Sequence, residues 1–253
     1  MVFNKVFKED VCSFLSKQKD NCADLIIADP PYNIGIDKWD IFKNNLEYWK
    51  FMDSWMSLAI RKLKKGGSIY IFNNQCNSAI ALTHLLPKLK FNNWITWYKK
   101  DGFHPTKTRF VCNQETCIFL SKSSPKTFNY DMIRIPYLSI KRLTSGKGVK
   151  GKNGKYWEPN KNGKLCNDVW EFASERQSKK VKGRTIKLLH PTIKPEKLIE
   201  RIIIASSNEN DLIFDLFSGS GQTSKICKRL KRNSLACEIN NKYFKQITES
   251  LNG

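Results

Sequence analysis

The sequence predicts an α/β protein built on an open, mainly parallel sheet, with one short basic insertion. Three observations predict it. Strand-like and helix-like stretches alternate through residues 3–121. An apolar run at 24–28 ends abruptly in Asp29-Pro30-Pro31-Tyr32. Near the other end, residues 211–238 read as strand, glycine turn, helix, strand and acid, the order of a nucleoside-binding βαβ unit.

The elements follow in chain order. Residues 3–7 form a strand leading to Asp10, whose place before a helix running to about Lys19 suits an N-cap. The 24–28 strand then carries Asp29 at its end. Residues 46–63 have helical periodicity in Trp49, Met52, Trp55, Met56, Ala59, Ile60 and Leu63, and Gly66-Gly67 reads as the signal that stops this helix. Its tryptophans are core residues by this pattern. Further strands are expected at 68–72, 94–98 and 116–120, and the basic run 99–109 between two of them as a flap over the catalytic face. Residues 122–189 differ in composition: over 131–190, fifteen Lys/Arg stand against five Asp/Glu. Two Asn-Gly tips, at 152–155 and 161–164, mark hairpins there, and Trp157 and Trp170 suggest a small packed nucleus. In the last part, a strand at 211–216 enters Phe217-Ser218-Gly219-Ser220-Gly221, a helix follows over 222–231, and a strand at 234–237 ends in Glu238.

Two of these places carry chemistry. Consecutive prolines fix φ and remove two backbone donors, so the turn after the 24–28 strand is stiff and its carbonyls are free. It holds a carboxylate beside a π-face, a pair suited to a flat heteroaromatic amine, with the ring on Tyr32 and its N–H groups on Asp29. At the second place the glycines let backbone approach a ligand, and Glu238, seventeen residues after Gly221, is placed to accept both ribose hydroxyls. The third glycine of a dinucleotide site is replaced by Ser224, which argues for a nucleoside cofactor without a pyrophosphate and against a nicotinamide oxidoreductase.

Composition sets the limits. A length of 253 residues fits one α/β domain with an insertion, and a net charge of +21 implies a polyanionic partner. No apolar run approaches the roughly 20 residues that span a bilayer, and the N-terminus opens no signal peptide. The eight cysteines have neither zinc-ribbon nor redox spacing, so a cytoplasmic, metal-free protein with reduced thiols is expected.

Together, Asp29-Pro30-Pro31-Tyr32, the late glycine turn and the segment His190-Pro191-Thr192-Ile193-Lys194-Pro195 resemble the S-adenosylmethionine-dependent amino-methyltransferases. The catalytic tetrapeptide precedes the glycine turn, the permuted order of the β class of DNA amino-methyltransferases. The resemblance covers nearly the whole chain and is closest to the MboII-like adenine-N6 enzymes of restriction–modification systems. It implies a Rossmann-like methyltransferase sheet in circularly permuted order, with residues 1–121 as the catalytic half, 122–189 as a target-recognition insertion and 190–253 as the cofactor half. Asp29, Pro30, Pro31 and Tyr32 would be catalytic. Asp10, Asp29, Thr192, Lys194, Asp215, Phe217, Gly219, Gly221, Thr223 and Glu238 would hold S-adenosylmethionine, with Thr192 and Lys194 at its carboxylate end, Asp215 on its amino group and Asp10 on its adenine. His190 would be structural.

The same resemblance implies double-stranded DNA as substrate, a homodimer, and a separately encoded restriction endonuclease as partner. Asp29 in the first catalytic position favours adenine N6; cytosine N4, adenine in RNA, or a non-catalytic specificity subunit are the alternatives. Gln222-Thr223 stands where two threonines usually follow the turn, and Ile193 where a glutamine is common, so altered cofactor affinity is expected.

Overall fold

The computed structural model describes residues 3–100, 106–138, 149–150, 154, 156–175, 178–181, 184–187 and 192–252. His190, Pro191, most of the first Asn-Gly tip and residues 101–105 of the expected flap lie outside them. The strands of the main sheet are β1 (Asn4–Phe7), β2 (Ala23–Ala28), β3 (Leu63–Asn73), β4 (Lys90–Tyr98), β5 (Gln114–Ser121), β8 (Val169–Glu171), β11 (Leu212–Asp215) and β12 (Asn233–Cys237). They lie in the order β1-β12-β11-β2-β3-β5-β4-β8. Pairing is parallel from β1 through β3 and again between β4 and β8, while β5 is antiparallel to both its neighbours.

Central strands bury both faces, so successive side chains feed two separate cores. In β2, Ile26 and Ala28 face one core while Leu25 and Ile27 face the other; in β3, Ile69 and Ile71 alternate with Tyr70 and Phe72 in the same way. Helices α1 (Val11–Ser16), α2 (Asn45–Lys62) and α3 (Gln75–Leu85) cover the first face. Helices α4 (Glu196–Ser206) and α5 (Gln222–Arg229) cover the second, and α6 (Asn241–Asn252) closes the chain. Trp55 and Met52 are fully buried under α2, each stabilising the fold by about 1.5–3 kcal/mol. Trp49 is only partly buried, packed against that core.

Several sequence expectations need correction. Gly66-Gly67 does not stop α2. The helix ends at Lys62, Leu63 turns extended, and β3 runs straight through both glycines. Gly66 has φ +78°, and a Cβ there would stand 2.9 Å from Lys126 Cβ; its N–H donates to Lys122 O, and the β2–β3 register shifts beside it. The glycine pair is a strand irregularity, which needs positive φ as much as a helix end does. The helix after the glycine turn stops at Arg229 rather than at residue 231, and Lys231 takes the left-handed conformation (φ 59°) that turns the chain toward β12. α3 and α6 have no counterpart in the sequence expectations.

The basic insertion is also less separate than its composition suggests. β8 pairs in parallel with β4, so Trp170 enters the main core instead of a nucleus of its own, with the Arg201 guanidinium 5.1 Å from its ring centroid. β6 (Val149–Lys150) and β7 (Tyr156–Trp157) form a hairpin, as do β9 (Ser178–Val181) and β10 (Arg184–Lys187). The second Asn-Gly tip joins no adjacent strands: Lys164 bridges back to Ile135 across Gly163, whose φ is +104°.

Candidate active site

Four acids stand at the carboxyl ends of parallel strands: Asp10 after β1, Asp29 after β2, Asp215 at the end of β11 and Glu238 after β12. The strand order reverses between β11 and β2, and ligands of open α/β sheets bind at such switch points. Asp215 is in register with Ile27 there, so the glycine turn and the Pro-Pro turn open side by side into one cavity of about 720 Å³. Asp10, Asp29, Pro30, Pro31, Tyr32, Thr192, Lys194, Asp215, Phe217, Gly219, Thr223 and Glu238 line it. Gly221 does not; it caps α5 at φ +73°, where a Cβ would meet Ile247 at 2.8 Å.

At the glycine end, Glu238 accepts the Gly219 N–H at 2.8 Å and the Asn240 N–H at 2.7 Å, which ties the acid to the turn it must serve. Burial raises the Glu238 carboxyl above its ordinary value, against these backbone donors. Burial also pushes Asp215 up to about 7, against hydrogen bonds from Ser218 (3.1 Å) and Thr223. Phe217 packs edge-on against Trp55, with ring centroids 5.4 Å apart, which fixes the entry to the turn. Asp10 accepts the N–H groups of Cys12 and Ser13 at 3.0 Å, so it does cap α1 while facing the cavity. These residues fit a nucleoside carrying an amino acid: a glycine turn for close approach, one acid at the right reach for a ribose, and a buried second acid for an ammonium. A cavity of this volume also has room for a flat ring beyond it.

At the other end the Pro-Pro turn is held by residues that no motif announced. The buried Asp40 carboxylate accepts four backbone N–H groups, from Tyr32 (2.5 Å), Asn33 (2.9 Å), Ile34 (3.0 Å) and Ile36 (3.2 Å). The Tyr48 hydroxyl donates to Pro31 O at 3.1 Å, and the Asn77 amide donates to Tyr32 O at 2.8 Å. Among the described residues, the Pro30 carbonyl has no protein donor.

Asp29 is not isolated. Its Oδ2 accepts from Lys194 Nζ at 2.7 Å and its Oδ1 lies 2.9 Å from the Tyr32 hydroxyl, which is shared with Glu115 Oε2 at 3.0 Å. Lys194 is 8% exposed, also reaches Glu115 at 3.2 Å, and lies over the Tyr32 and Phe72 rings. Lys99 pairs with the other Glu115 oxygen. Burial would raise the Glu115 carboxyl, but the ammonium groups of Lys194 and Lys99 outweigh it and hold it at about 2. Burial also opposes the Lys194 charge, yet Asp29 and Glu115 lift that amine above its ordinary value. Lys194 therefore sits against the Asp29 and Glu115 carboxylates, in the same cavity in which the resemblance places it at the cofactor's carboxylate end. Asp40, Tyr48, Asn77 and Glu115 escaped the sequence reading, and of these only Asp40, eight residues past Tyr32, was near enough to a motif to be found; Lys99, read as the start of the basic flap, lines the cavity and pairs with Glu115.

These contacts bear on Tyr32. Burial, with the neighbouring charges of Asp29 and Glu115, pushes its hydroxyl well above the ordinary value, so it remains a donor. Tyr32→Phe, which a pure stacking role leaves silent, is expected instead to lower kcat on the order of tenfold by removing one donor from Asp29. Steady-state kinetics check this: an unchanged kcat would confine Tyr32 to stacking.

The structure thus joins a glycine turn with its acid to a rigid acid–Pro–Pro–aromatic turn at one switch point. The N6_N4_Mtase family model, described as DNA methylase, matches residues 23–249. The Type II methyltransferase M1.MboII of Moraxella bovis is 46% identical over 252 residues, covering 98% of this chain and 96% of that one. Among solved structures, the M1.HpyAVI–SAM complex aligns with TM-score 0.62 at 21% identity over the full length of both chains. The cytosine-N4-specific PvuII DNA methyltransferase aligns with TM-score 0.71 at 16% identity, over 98% of this chain and 86% of that one. The chain belongs to the N6_N4_Mtase family of DNA methylases and is a DNA methyltransferase.

Proposed function

We propose that this enzyme transfers a methyl group from S-adenosylmethionine to the N6 amine of an adenine flipped out of duplex DNA. The observation that carries the reading is the paired acceptor at the Pro-Pro turn: the Asp29 carboxylate next to a Pro30 carbonyl with no protein donor among the described residues. Bound S-adenosylmethionine supplies an electrophilic methyl on a sulfonium. Asp29 and Pro30 O accept hydrogen bonds from the two amine N–H groups and favour the pyramidal nitrogen of the transition state; once the carbon–sulfur bond has broken and the carbon–nitrogen bond has formed, the methylated nitrogen releases one proton to water. Those hydrogen bonds strengthen as positive charge develops on nitrogen, so they bind the transition state better than the ground state. Tyr32 presents its ring to the flipped base. Glu238 holds the ribose hydroxyls, Asp215 the cofactor's amino group, Thr192 its carboxylate end and Asp10 its adenine. Gly219, Gly221, Phe217 and Thr223 shape the turn against it.

Residues 122–189 serve as the target-recognition segment. Its lysines supply phosphate contacts, and the same reading places a homodimer and a separately encoded endonuclease beside the enzyme in the bacterial cytoplasm. Replacing Lys150, Lys161 and Lys164 by glutamine is expected to lower the slope of log K against log salt by about one unit for each phosphate no longer neutralised. An unaltered slope would put the DNA on another face. Among the described residues no helix is long and apolar enough to cross a membrane.

Labelled S-adenosylmethionine with unmethylated duplex DNA, followed by nucleoside identification, tests the reaction. Label in N6-methyladenine is the expected result. Label in N4-methylcytosine would keep the mechanism and overturn the base. An unlabelled DNA would send the search to RNA or to a missing partner.

A further inference from the structure

We propose that Glu115 is a charge-balancing positioning residue: together with Asp29 it balances the ammonium groups of Lys194 and Lys99, so that the cofactor's sulfonium faces a locally neutral site. The inference rests on the cofactor part of the reading above. No motif marks Glu115. It lies on β5, remote in sequence from Asp29 and Lys194, and β5 is the one strand reversed in the sheet.

The geometry argues it. Lys194 is almost fully buried, in contact with Asp29 at 2.7 Å and Glu115 at 3.2 Å. Lys99 is held by Glu115 on the far side. The cavity's catalytic end thus carries two carboxylates and two ammonium groups, all 25% exposed or less. Cys117, two residues along the same strand, is buried, and burial raises its thiol well above the ordinary value, so it adds no charge. The acids at the cofactor end, Asp215 and Glu238, hold their own donors and do not reach Lys194.

Methyl transfer moves a positive charge from sulfur to nitrogen, and the reacting atoms stand roughly 3 Å apart. A cation left uncompensated at this end would oppose both the bound sulfonium and the developing ammonium, and would draw on the Asp29 oxygens that the amine needs. Glu115 removes that opposition. It also shares the Tyr32 hydroxyl with Asp29, which fixes the position of both.

S-adenosylmethionine and S-adenosylhomocysteine share every contact except the sulfonium charge and its methyl, so their affinity ratio reads the local charge directly. In Glu115→Gln the Kd of S-adenosylmethionine is expected to rise relative to that of S-adenosylhomocysteine on the order of tenfold, the scale of one unbalanced charge at intermediate dielectric. Adding Lys99→Met restores neutrality and should bring the ratio back. A ratio unchanged in Glu115→Gln, or one that Lys99→Met does not reverse, would overturn the proposal. Should Glu115→Gln fail to fold, Lys99→Met alone leaves an excess of negative charge and is expected to shift the ratio the other way; no shift would equally overturn it. These binding measurements need no DNA. A wild-type protein that leaves DNA unlabelled, with variants that show the expected shifts, would sink the proposed reaction and leave this role standing.

Discussion

Asp29→Ala is expected to reduce methyl transfer on the order of 10³-fold or more, against a loss of S-adenosylmethionine affinity on the order of only tenfold from the charge it leaves unbalanced. The carboxylate is the charged acceptor for the amine, and no neighbour can replace it. Glu115 is committed to Lys99, Lys194 and Tyr32, and Asp215 lies on the next strand with its own donors. The fold tolerates the change because Lys194 keeps Glu115 as a partner at 3.2 Å. Equilibrium binding and single-turnover kinetics separate the two effects. An Asp29→Ala variant that methylates at the wild-type rate would remove the mechanism. One that loses cofactor binding to the same extent as rate would make Asp29 a cofactor ligand first.

The second large effect is expected at Asp40, which acts through the turn that carries Asp29 and Tyr32. Asp40→Ala strips one acceptor group from four N–H donors spanning residues 32–36, two of them within 2.9 Å. Buried donors left without a partner cost about 1–3 kcal/mol each, and partial access to water reduces the sum. A net loss of roughly 3 kcal/mol would lower Tm by about 6–12 °C for a chain of this size. Because the first of these donors is Tyr32 N, the turn that positions Asp29 loosens as well, and kcat should fall on the order of a hundredfold. Asp40→Asn keeps one carbonyl acceptor and should fall between. Calorimetry with kinetics on both variants checks this. A normal kcat in Asp40→Ala would show that the Pro-Pro turn is rigid by itself.

Much of this protein is legible in the amino-acid chain alone. The strand–turn–acid units are local: a short apolar run followed by Asp29-Pro30-Pro31-Tyr32, or by a glycine turn and Glu238, fixes both element and site within a few residues. The four acids at strand ends, Asp10, Asp29, Asp215 and Glu238, are therefore nameable from the chain, and the order of the two motifs is enough to anticipate the permuted sheet. Where sequence and fold disagree, the cause is nonlocal. Gly66-Gly67 satisfies a helix stop and a strand irregularity equally well, because both need positive φ. Only the contact with Lys126 and the register of β2 on β3 decide between them. Trp170 reads as part of a separate nucleus until β8 is seen beside β4.

The site divides along the same line. Sequence by itself determined which four acids and which turn open into the cavity from the strand ends, since each sits at the end of its own strand and strand ends converge at a switch point. Tertiary structure alone decided how those groups are charged and held. Asp29, Lys194 and Glu115 come from three distant segments, and the ion pairs among them exist only because β5 folds back beside β3 and α4 brings Lys194 against the sheet. A carboxylate's identity is written in one residue. Its electrostatic environment is set by whatever the fold packs within a few ångströms of it.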